Sequence, residues 1–361
     1  MENRVYNFSA GPSILPEEVL KEVQRDMLNY AGTGMSITEM SHRSKPYMAV
    51  NEEAQALLRE LLNIPDNYYV LFVQGGASTQ FACIPLNLLG KNKKADYVLS
   101  GNFASKAYEE ACRYGDIHVA GSSKADKYTY IPKELDIRSD AAYLHITTNN
   151  TIFGTRYNEL PKTNVPIVAD LSSEILSRVI NVNDYAVIYA GAQKNIAPAG
   201  VTIVIARKDL VDNQENVMEC CPTMLKWKTQ ADNDSLYNTP PCFSIYTAML
   251  VFRHLKKLGG VPAIQKINEE KAALLYDFID NSKLFKSTVA KEDRSIMNVP
   301  FVTGDPDMDA KFVKEATENG LTTLKGHKLV GGMRASIYNA MPIEGVKKLV
   351  EFMKKFEKEN A

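Results

Sequence analysis

The chain has 361 residues, with 42 Lys or Arg against 43 Asp or Glu, a net charge of −1, 45% hydrophobic residues and 24% charged ones. These values fit one large or two ordinary globular domains and exclude the basic field that a nucleic-acid partner requires. No apolar run reaches the roughly 18 residues of a membrane span, and the opening MENRVYNFSAGP lacks the apolar stretch of a signal peptide, so a cytoplasmic protein is expected. The five cysteines, Cys83, Cys112, Cys220, Cys221 and Cys242, form no CxxC pair and read as reduced thiols. The five histidines show neither HxxxH nor HExxH spacing, so no zinc site is expected.

From Pro16 to about Arg207 helical and strand signals alternate. PEEVLKEVQRDMLNY (16–30) predicts an amphipathic helix after a proline, YYVLFVQ (68–74) a strand, and TQFACIPLNLL (79–89) a buried helix. ADYVLSG (95–101) predicts a strand and ASKAYEEACRYG (104–115) a helix with a glycine stop. AAYLHIT (141–147), VPIVADL (165–171), YAVIYAG (185–191) and VTIVIAR (201–207) are short β-branched runs that read as further buried strands. This alternation predicts an α/β fold with a mostly parallel central sheet. Beyond Pro240 the pattern changes. CFSIYTAMLVFRHLKKLGG (242–260) predicts a long helix stopped by Gly-Gly, 261–282 a second, half-exposed helix, and the rest, including a helix over 307–320, a smaller α+β unit. The expected division is a large cofactor-binding domain, 13–260, and a small domain of 1–12 with 261–361, since chain ends often lie together.

In parallel α/β sheets ligands bind beyond the carboxyl ends of the strands, and four strand ends carry suggestive groups. In QGGASTQF, Gly75 and Gly76 let backbone approach an anion at a helix start, although such a turn is also ordinary connecting structure. Phe103, between a strand and a helix, suits a stacking plate for a planar ligand as well as a core aromatic. Asp170 ends a run too apolar for a free carboxylate; a cap, an ion pair or the partner of a protonated ring nitrogen would satisfy it. Lys194, in YAGAQKNIAP, sits in a frame of small residues between two core strands, where a solvated cation has no need to be. A phosphate cradle, a stacking plate, a ring-nitrogen carboxylate and a framed lysine together describe a pyridoxal 5'-phosphate site. Burial and nearby positive charge would lower the lysine pKa and free it as nucleophile and base.

The ordered stretches NFSAGP (7–12), EMSHR (39–43), QGGAS (74–78), TNNTIFGT (148–155), ADLSSEILSR (169–178), YAGAQKN (189–195), NTPPCFSIY (238–246) and KGHKLVGGMRASIYNAMP (325–342) carry a likeness over nearly the whole chain. It resembles the phosphoserine aminotransferase family, fold-type I, class V pyridoxal-phosphate enzymes. The resemblance implies that Lys194 is the Schiff-base lysine of a ping-pong reaction and Asp170 the partner of the ring nitrogen. It places Ala77, Ser78 and Gln193 at the cofactor phosphate, Phe103 on the ring and Thr151 at the phenolic oxygen. Asn238 and Thr239 would reach the phosphate of the neighbouring subunit in a homodimer with sites at the interface. Arg334 would fork the substrate α-carboxylate. His42, Arg43, His327 and Lys328 would form the basic cluster for the distal anion, part of it from the second subunit. The implied reaction moves an amino group from L-glutamate to 3-phosphohydroxypyruvate in serine biosynthesis. The likeness also admits 4-phosphohydroxy-L-threonine formation in pyridoxine synthesis. Phe103 stands where the family usually has tryptophan, and Ser78 where some members have arginine, which implies a modest cost in cofactor affinity and one charge fewer at the phosphate.

Two other readings remain at the sequence level. Another class V activity, such as a cysteine desulfurase, would need a reactive cysteine, and none of the five lies in a Gly/Ser-rich loop. A non-catalytic pyridoxal-phosphate carrier would not need Arg334 together with the His42–Arg43 and His327–Lys328 pairs.

Overall fold

The four β-branched runs between 141 and 207 form strands whose residues are buried on both faces, the signature of a sheet covered by helices on each side. The computed structural model describes residues 4–360; Met1, Glu2, Asn3 and Ala361, the extreme ends of the expected small domain, lie outside the described residues. In chain order the elements are β1 (Tyr6–Asn7), α1 (Glu17–Asp26), α2 (Lys45–Leu62), β2 (Tyr68–Val73), α3 (Gly76–Leu88), β3 (Lys94–Leu99), α4 (Asn102–Ala111), β4 (Asp116–Ser122), β5 (Leu144–Thr147), β6 (Ile167–Asp170), β7 (Val187–Gly191) and β8 (Thr202–Arg207). They continue with α5 (Lys208–Asp212), α6 (Trp227–Ala231), α7 (Cys242–Lys257), α8 (Gly260–Asn281), β9 (Lys286–Ser287), β10 (Asn298–Val302), α9 (Pro306–Glu318), β11 (Leu321–Thr322), β12 (Met333–Ser336) and α10 (Ile343–Asn360).

The central sheet has seven strands in the order β2-β8-β7-β6-β5-β3-β4. Strands β4, β3, β5, β6 and β7 are parallel, and β8 runs antiparallel to both β7 and β2. Side chains alternate between the two faces. Ile146, Ala169, Ile188 and Ile203 pack on one side with α1, α2 and α7. Tyr97, Tyr143, Val168, Val187, Tyr189 and Val204 pack on the other with α3, α4 and Trp227 of α6. A further hydrophobic core gathers Phe8 and Ile14, the C-terminal half of α8, the antiparallel sheet β12-β10-β9, α9 and α10. β1 pairs in parallel with β11, which brings the start of the chain onto this core. Among the described residues no helix is long and apolar enough to cross a membrane.

The structure adjusts several expected boundaries. The helix expected over 16–30 ends at Asp26, and Leu28 is 86% exposed, so the apolar period does not continue. The helix expected over 104–115 starts at the strand end, at Asn102, and stops at Ala111. Gly259 and Gly260, at φ +101° and +75°, turn the chain between α7 and α8, a conformation that suits glycine. α2, β4 and α10 have no counterpart among the expected elements. α2 opens with Ser44-Lys45-Pro46 and ends on Asn63 in the left-handed region, both ordinary helix boundaries.

α8 joins the cores: Val261 and Ile264 belong to one, Leu275 and Ile279 to the other. Between them Lys271 is fully buried, and its ammonium donates to the carbonyls of Ile337 (3.0 Å), Tyr338 (2.8 Å) and Met341 (3.0 Å). Those carbonyls belong to the turn after β12, where Tyr338 O also accepts the Met341 amide at 2.9 Å. Lys271→Met keeps the length and removes all three donors, so it should lower unfolding stability by about 3 kcal/mol or more, read from urea midpoints at constant m.

Candidate active site

The chain leaves β7 at Gly191 and returns as β8 through a turn of small buried residues, Ala192 and Ala197 among them, closed by Ala192 N–H to Val201 O at 3.1 Å. Lys194 projects from this turn. Its backbone is strapped by the N-terminal segment: Ser13 N–H donates to Gln193 O at 3.0 Å, and the Ser13 hydroxyl donates to Lys194 O. Lys194 Nζ donates to Thr151 Oγ1 at 2.7 Å and lies 5.6 Å from the centre of the Phe103 ring. Burial pushes its pKa down to about 8, Asp170 opposes that shift and Arg334 adds to it.

Asp170 is the last residue of β6, register partner of Thr147 on β5 and of Tyr189 on β7, and it is 4% exposed. Its Oδ1 accepts the Ser172 amide at 2.8 Å, the local turn expected of an aspartate at a strand end. Burial raises its pKa, while Ser172, Lys194 and Tyr189 act in the opposite sense.

The turn that carries Thr151 is held from within by Gly154 N–H to Asn150 O at 2.8 Å and Asn150 N–H to Thr155 O at 2.7 Å. Arg334, on β12, donates through Nη1 to Thr151 O at 3.1 Å, so the β12 arginine and the β7–β8 lysine meet on one residue. At the start of α3, Gly75 adopts φ +94°, and a Cβ there would lie 1.9 Å from Thr79 Oγ1. Only glycine fits, and the turn leaves the first-turn amides of Gly76, Ala77 and Ser78 without intrahelical acceptors.

These groups line one cavity of about 410 Å³: Gly75 to Ser78, Phe103, Thr151, Asp170, Gln193, Lys194, His327 and Arg334. The buried Thr147 hydroxyl also lines it and finds no partner among the described residues. The donor set fits pyridoxal phosphate. A helix N-terminus suits its phosphate, Phe103 its ring, a buried carboxylate its ring nitrogen, and a lysine of lowered pKa its aldehyde. His327 is held below its usual pKa by burial, then by Arg334 and Lys328.

Five expected site residues lie outside this cavity within one chain. His42 and Arg43 sit in the turn before α2; Arg43 is exposed, and the buried His42 Nε2 has no partner among the described residues. Lys328 is exposed and faces a separate groove against α9. Asn238 lines an adjoining cavity beyond Gly75, and Thr239 O accepts from Gln74 Nε2 at 3.0 Å. The cavity also uses residues that the sequence reading passed over: Gly11, Thr147, Asn149, Ser172 and Ser173. Thr147 could have been found from its place at a strand end.

Residues 5–349 match the family model for class-V aminotransferases, and the chain belongs to that family. Within it, the chain is 56% identical to a phosphoserine aminotransferase of Bacillus cereus over 99% of both chains. It is 54% identical to one of Listeria monocytogenes over 98% of this chain and 96% of the other. Among solved structures it is similar to phosphoserine aminotransferase from Bacillus circulans subsp. alkalophilus, with a TM-score of 0.97 and 47% identity over 100% of both chains. It is also similar to a pyridoxal-phosphate-bound phosphoserine aminotransferase from Trichomonas vaginalis, with a TM-score of 0.93 and 39% identity over 97% of this chain and 100% of that one.

The lowered pKa of Lys194 has a direct readout. In cofactor-free protein, acetylation of Lys194 followed by peptide mass spectrometry should rise through about pH 8, against 10.5 for an ordinary lysine. Asp170 raises the Lys194 pKa, so Asp170→Asn should move that midpoint to lower pH.

Proposed function

We infer that this protein is a pyridoxal-phosphate-dependent transaminase that exchanges an amino group between L-glutamate and 3-phosphohydroxypyruvate, giving O-phospho-L-serine and 2-oxoglutarate in serine biosynthesis. The observation that carries this reading is the cavity in which Lys194, at a pKa near 8, faces buried Asp170 beside a helix N-terminus and Arg334. The names of the similar proteins supply phosphoserine; L-glutamate and the keto acids are what the family resemblance implies.

When bound, pyridoxal phosphate supplies an aldehyde for the amino group and a ring that draws electrons from the substrate Cα. The protein's residues do the rest. Asp170 holds a proton on the ring nitrogen, since a buried carboxylate gains most by facing a cation. Lys194 serves as nucleophile and then moves the proton at the substrate Cα, a task for an amine whose pKa is near the working pH. Thr151 Oγ1 accepts from the Lys194 amine and fixes its direction. The first turn of α3 and Gln193 hold the phosphate, and Phe103 covers the ring face. Arg334 forks the α-carboxylate that both substrates share. His327 begins the site for the distal anion, which is a phosphate in one substrate and a γ-carboxylate in the other.

We assign the chain to a homodimer in which His42, Arg43, Lys328, Asn238 and Thr239 complete the cavity across the interface. This accounts for their absence from the cavity of a single chain. The domain reading is 13–260 for the cofactor and 1–12 with 261–361 for the smaller unit. The cytoplasm is the assigned compartment, on the cysteine pattern of the sequence.

A coupled assay with glutamate should give turnover with 3-phosphohydroxypyruvate well above that with unphosphorylated keto acids; equal turnover would overturn the substrate assignment. Lys194→Ala should lose turnover on the order of a thousandfold or more while the fold persists by circular dichroism. For the dimer, subunits carrying Lys194→Ala are to be exchanged with subunits substituted at both Asn238 and Thr239. Arms that cross predict one intact site per mixed dimer and recovery of activity above either parent. Arms that serve their own subunit predict no recovery.

A further inference from the structure

Behind Asp170, on the α3–α4 face of the sheet, lies a buried row of titratable side chains that the reaction does not itself use. Tyr97, Tyr143, His145 and Tyr189 are all 0% exposed. His145 Nε2 and the Tyr189 hydroxyl are 2.8 Å apart. The His145 ring stacks on Tyr97 at 4.6 Å and 16°, and the hydroxyls of Tyr97 and Tyr143 are 2.9 Å apart.

The sheet register shows where the Tyr189 hydroxyl must lie. Tyr189 on β7 is the register partner of Asp170 on β6, so the two side chains stand on the same face. His145 is on β5, on the far side of β6. A phenol that starts on β7 and reaches β5 crosses over β6, beside the Asp170 carboxylate. In agreement with that, the phenol acts to lower the pKa of the carboxylate and the carboxylate to raise that of the phenol.

The direction of the chain follows from donor counting. Burial pushes the His145 pKa down to about 3, so the ring is neutral and carries one N–H. Its Nδ1 is buried and has no partner among the described residues. A proton on Nδ1 would be a buried orphan donor, which is rarer and more costly than an orphan acceptor. The proton therefore sits on Nε2 and is donated to the Tyr189 oxygen. That leaves the Tyr189 proton free to be donated onward.

We propose that His145 and Tyr189 are positioning residues. They form a directed hydrogen-bond chain, His145 Nε2–H to the Tyr189 oxygen and Tyr189 O–H to the Asp170 carboxylate, that keeps Asp170 ionised and aimed at the cofactor ring nitrogen. This rests on the role of Asp170 given above. A carboxylate in so dry a position tends to take up a proton, and a neutral acid would no longer hold the ring nitrogen protonated. A charge-assisted hydrogen bond from a neutral phenol counters that tendency without adding a competing cation. The stacked Tyr97 and the Tyr97–Tyr143 pair hold the imidazole in place.

The test uses holoenzyme loaded with pyridoxal phosphate carrying ¹⁵N in its ring, whose chemical shift reports protonation of that nitrogen independently of turnover. Wild type should show the protonated position. Tyr189→Phe keeps the aromatic packing and removes the donor; its resonance should move toward the unprotonated position, and kcat should fall about tenfold with the KM for glutamate within about twofold. His145→Gln retains an N–H donor at similar reach and should stay near wild type. His145→Phe should move the same way as Tyr189→Phe. A protonated wild type with an unmoved resonance in Tyr189→Phe overturns the proposal alone. If Tyr189→Phe does not hold cofactor, an unmoved resonance in His145→Phe overturns it equally. An unprotonated nitrogen in wild type overturns the assigned role of Asp170, and the proposal with it.

Discussion

An amine and a carboxylate share one cavity in this fold, and each shifts the titration of the other. Burial favours the neutral form of both Lys194 and Asp170. Asp170 draws the amine back toward its charged form, while Ser172, Lys194 and the buried phenol draw the carboxylate toward its own. The balance leaves a lysine near the middle of its titration, with a carboxylate beside it that can face a cation on the ligand. The surrounding architecture keeps these two charges at fixed places. Adjacent strand ends carry Asp170 and the turn to Lys194, the β7–β8 turn limits the lysine's freedom, and Thr151 receives both the amine and the β12 arginine.

The antiparallel strand β8 matters to this arrangement. A parallel successor to β7 would need a crossover of a dozen or more residues. Because β8 returns directly, Lys194 sits in a short turn whose backbone is tied at Ala192 and by Ser13. The small residues around it are those that such a turn can bury without side-chain clashes.

Much of this was legible in the sequence because the strands are buried on both faces. β5, β6, β7 and β8 are brief β-branched runs, and reading the residues at their ends leads to Asp170 and Lys194 directly. α2 and β4 were harder for opposite reasons. α2 interrupts the strand–helix alternation as an extra helix, and β4 is a partly exposed edge strand with polar residues, DIHVAGS, that lack a clear two-residue period. Arg334 came only from family likeness, since nothing in its own neighbourhood marks it; it is brought in by β12, about 140 residues beyond Lys194 along the chain. Tyr189 and His145 look like ordinary core aromatics in sequence, and only the strand register places them against Asp170. His42, Arg43, Lys328, Asn238 and Thr239 stay apart within one chain, so no single-chain geometry could have gathered them.

The strap over Lys194 also has a consequence for the order of assembly. Ser13 holds the lysine turn, while just upstream Tyr6 N–H donates to Gly320 O and Phe8 N–H to Thr322 O. Tyr6 and Thr322 are 316 residues apart. During synthesis from the N-terminus the first residues of the site emerge first, yet their anchor emerges among the last. All seven strands of the central sheet exist once Arg207 is made and its covering α7 follows by Lys257, but the strap cannot close until β11 exists. The cavity is therefore finished late, by the meeting of the two ends of the chain, and a ribosome-bound chain lacking its last forty or so residues would carry the reactive lysine on a formed sheet with its cover still loose.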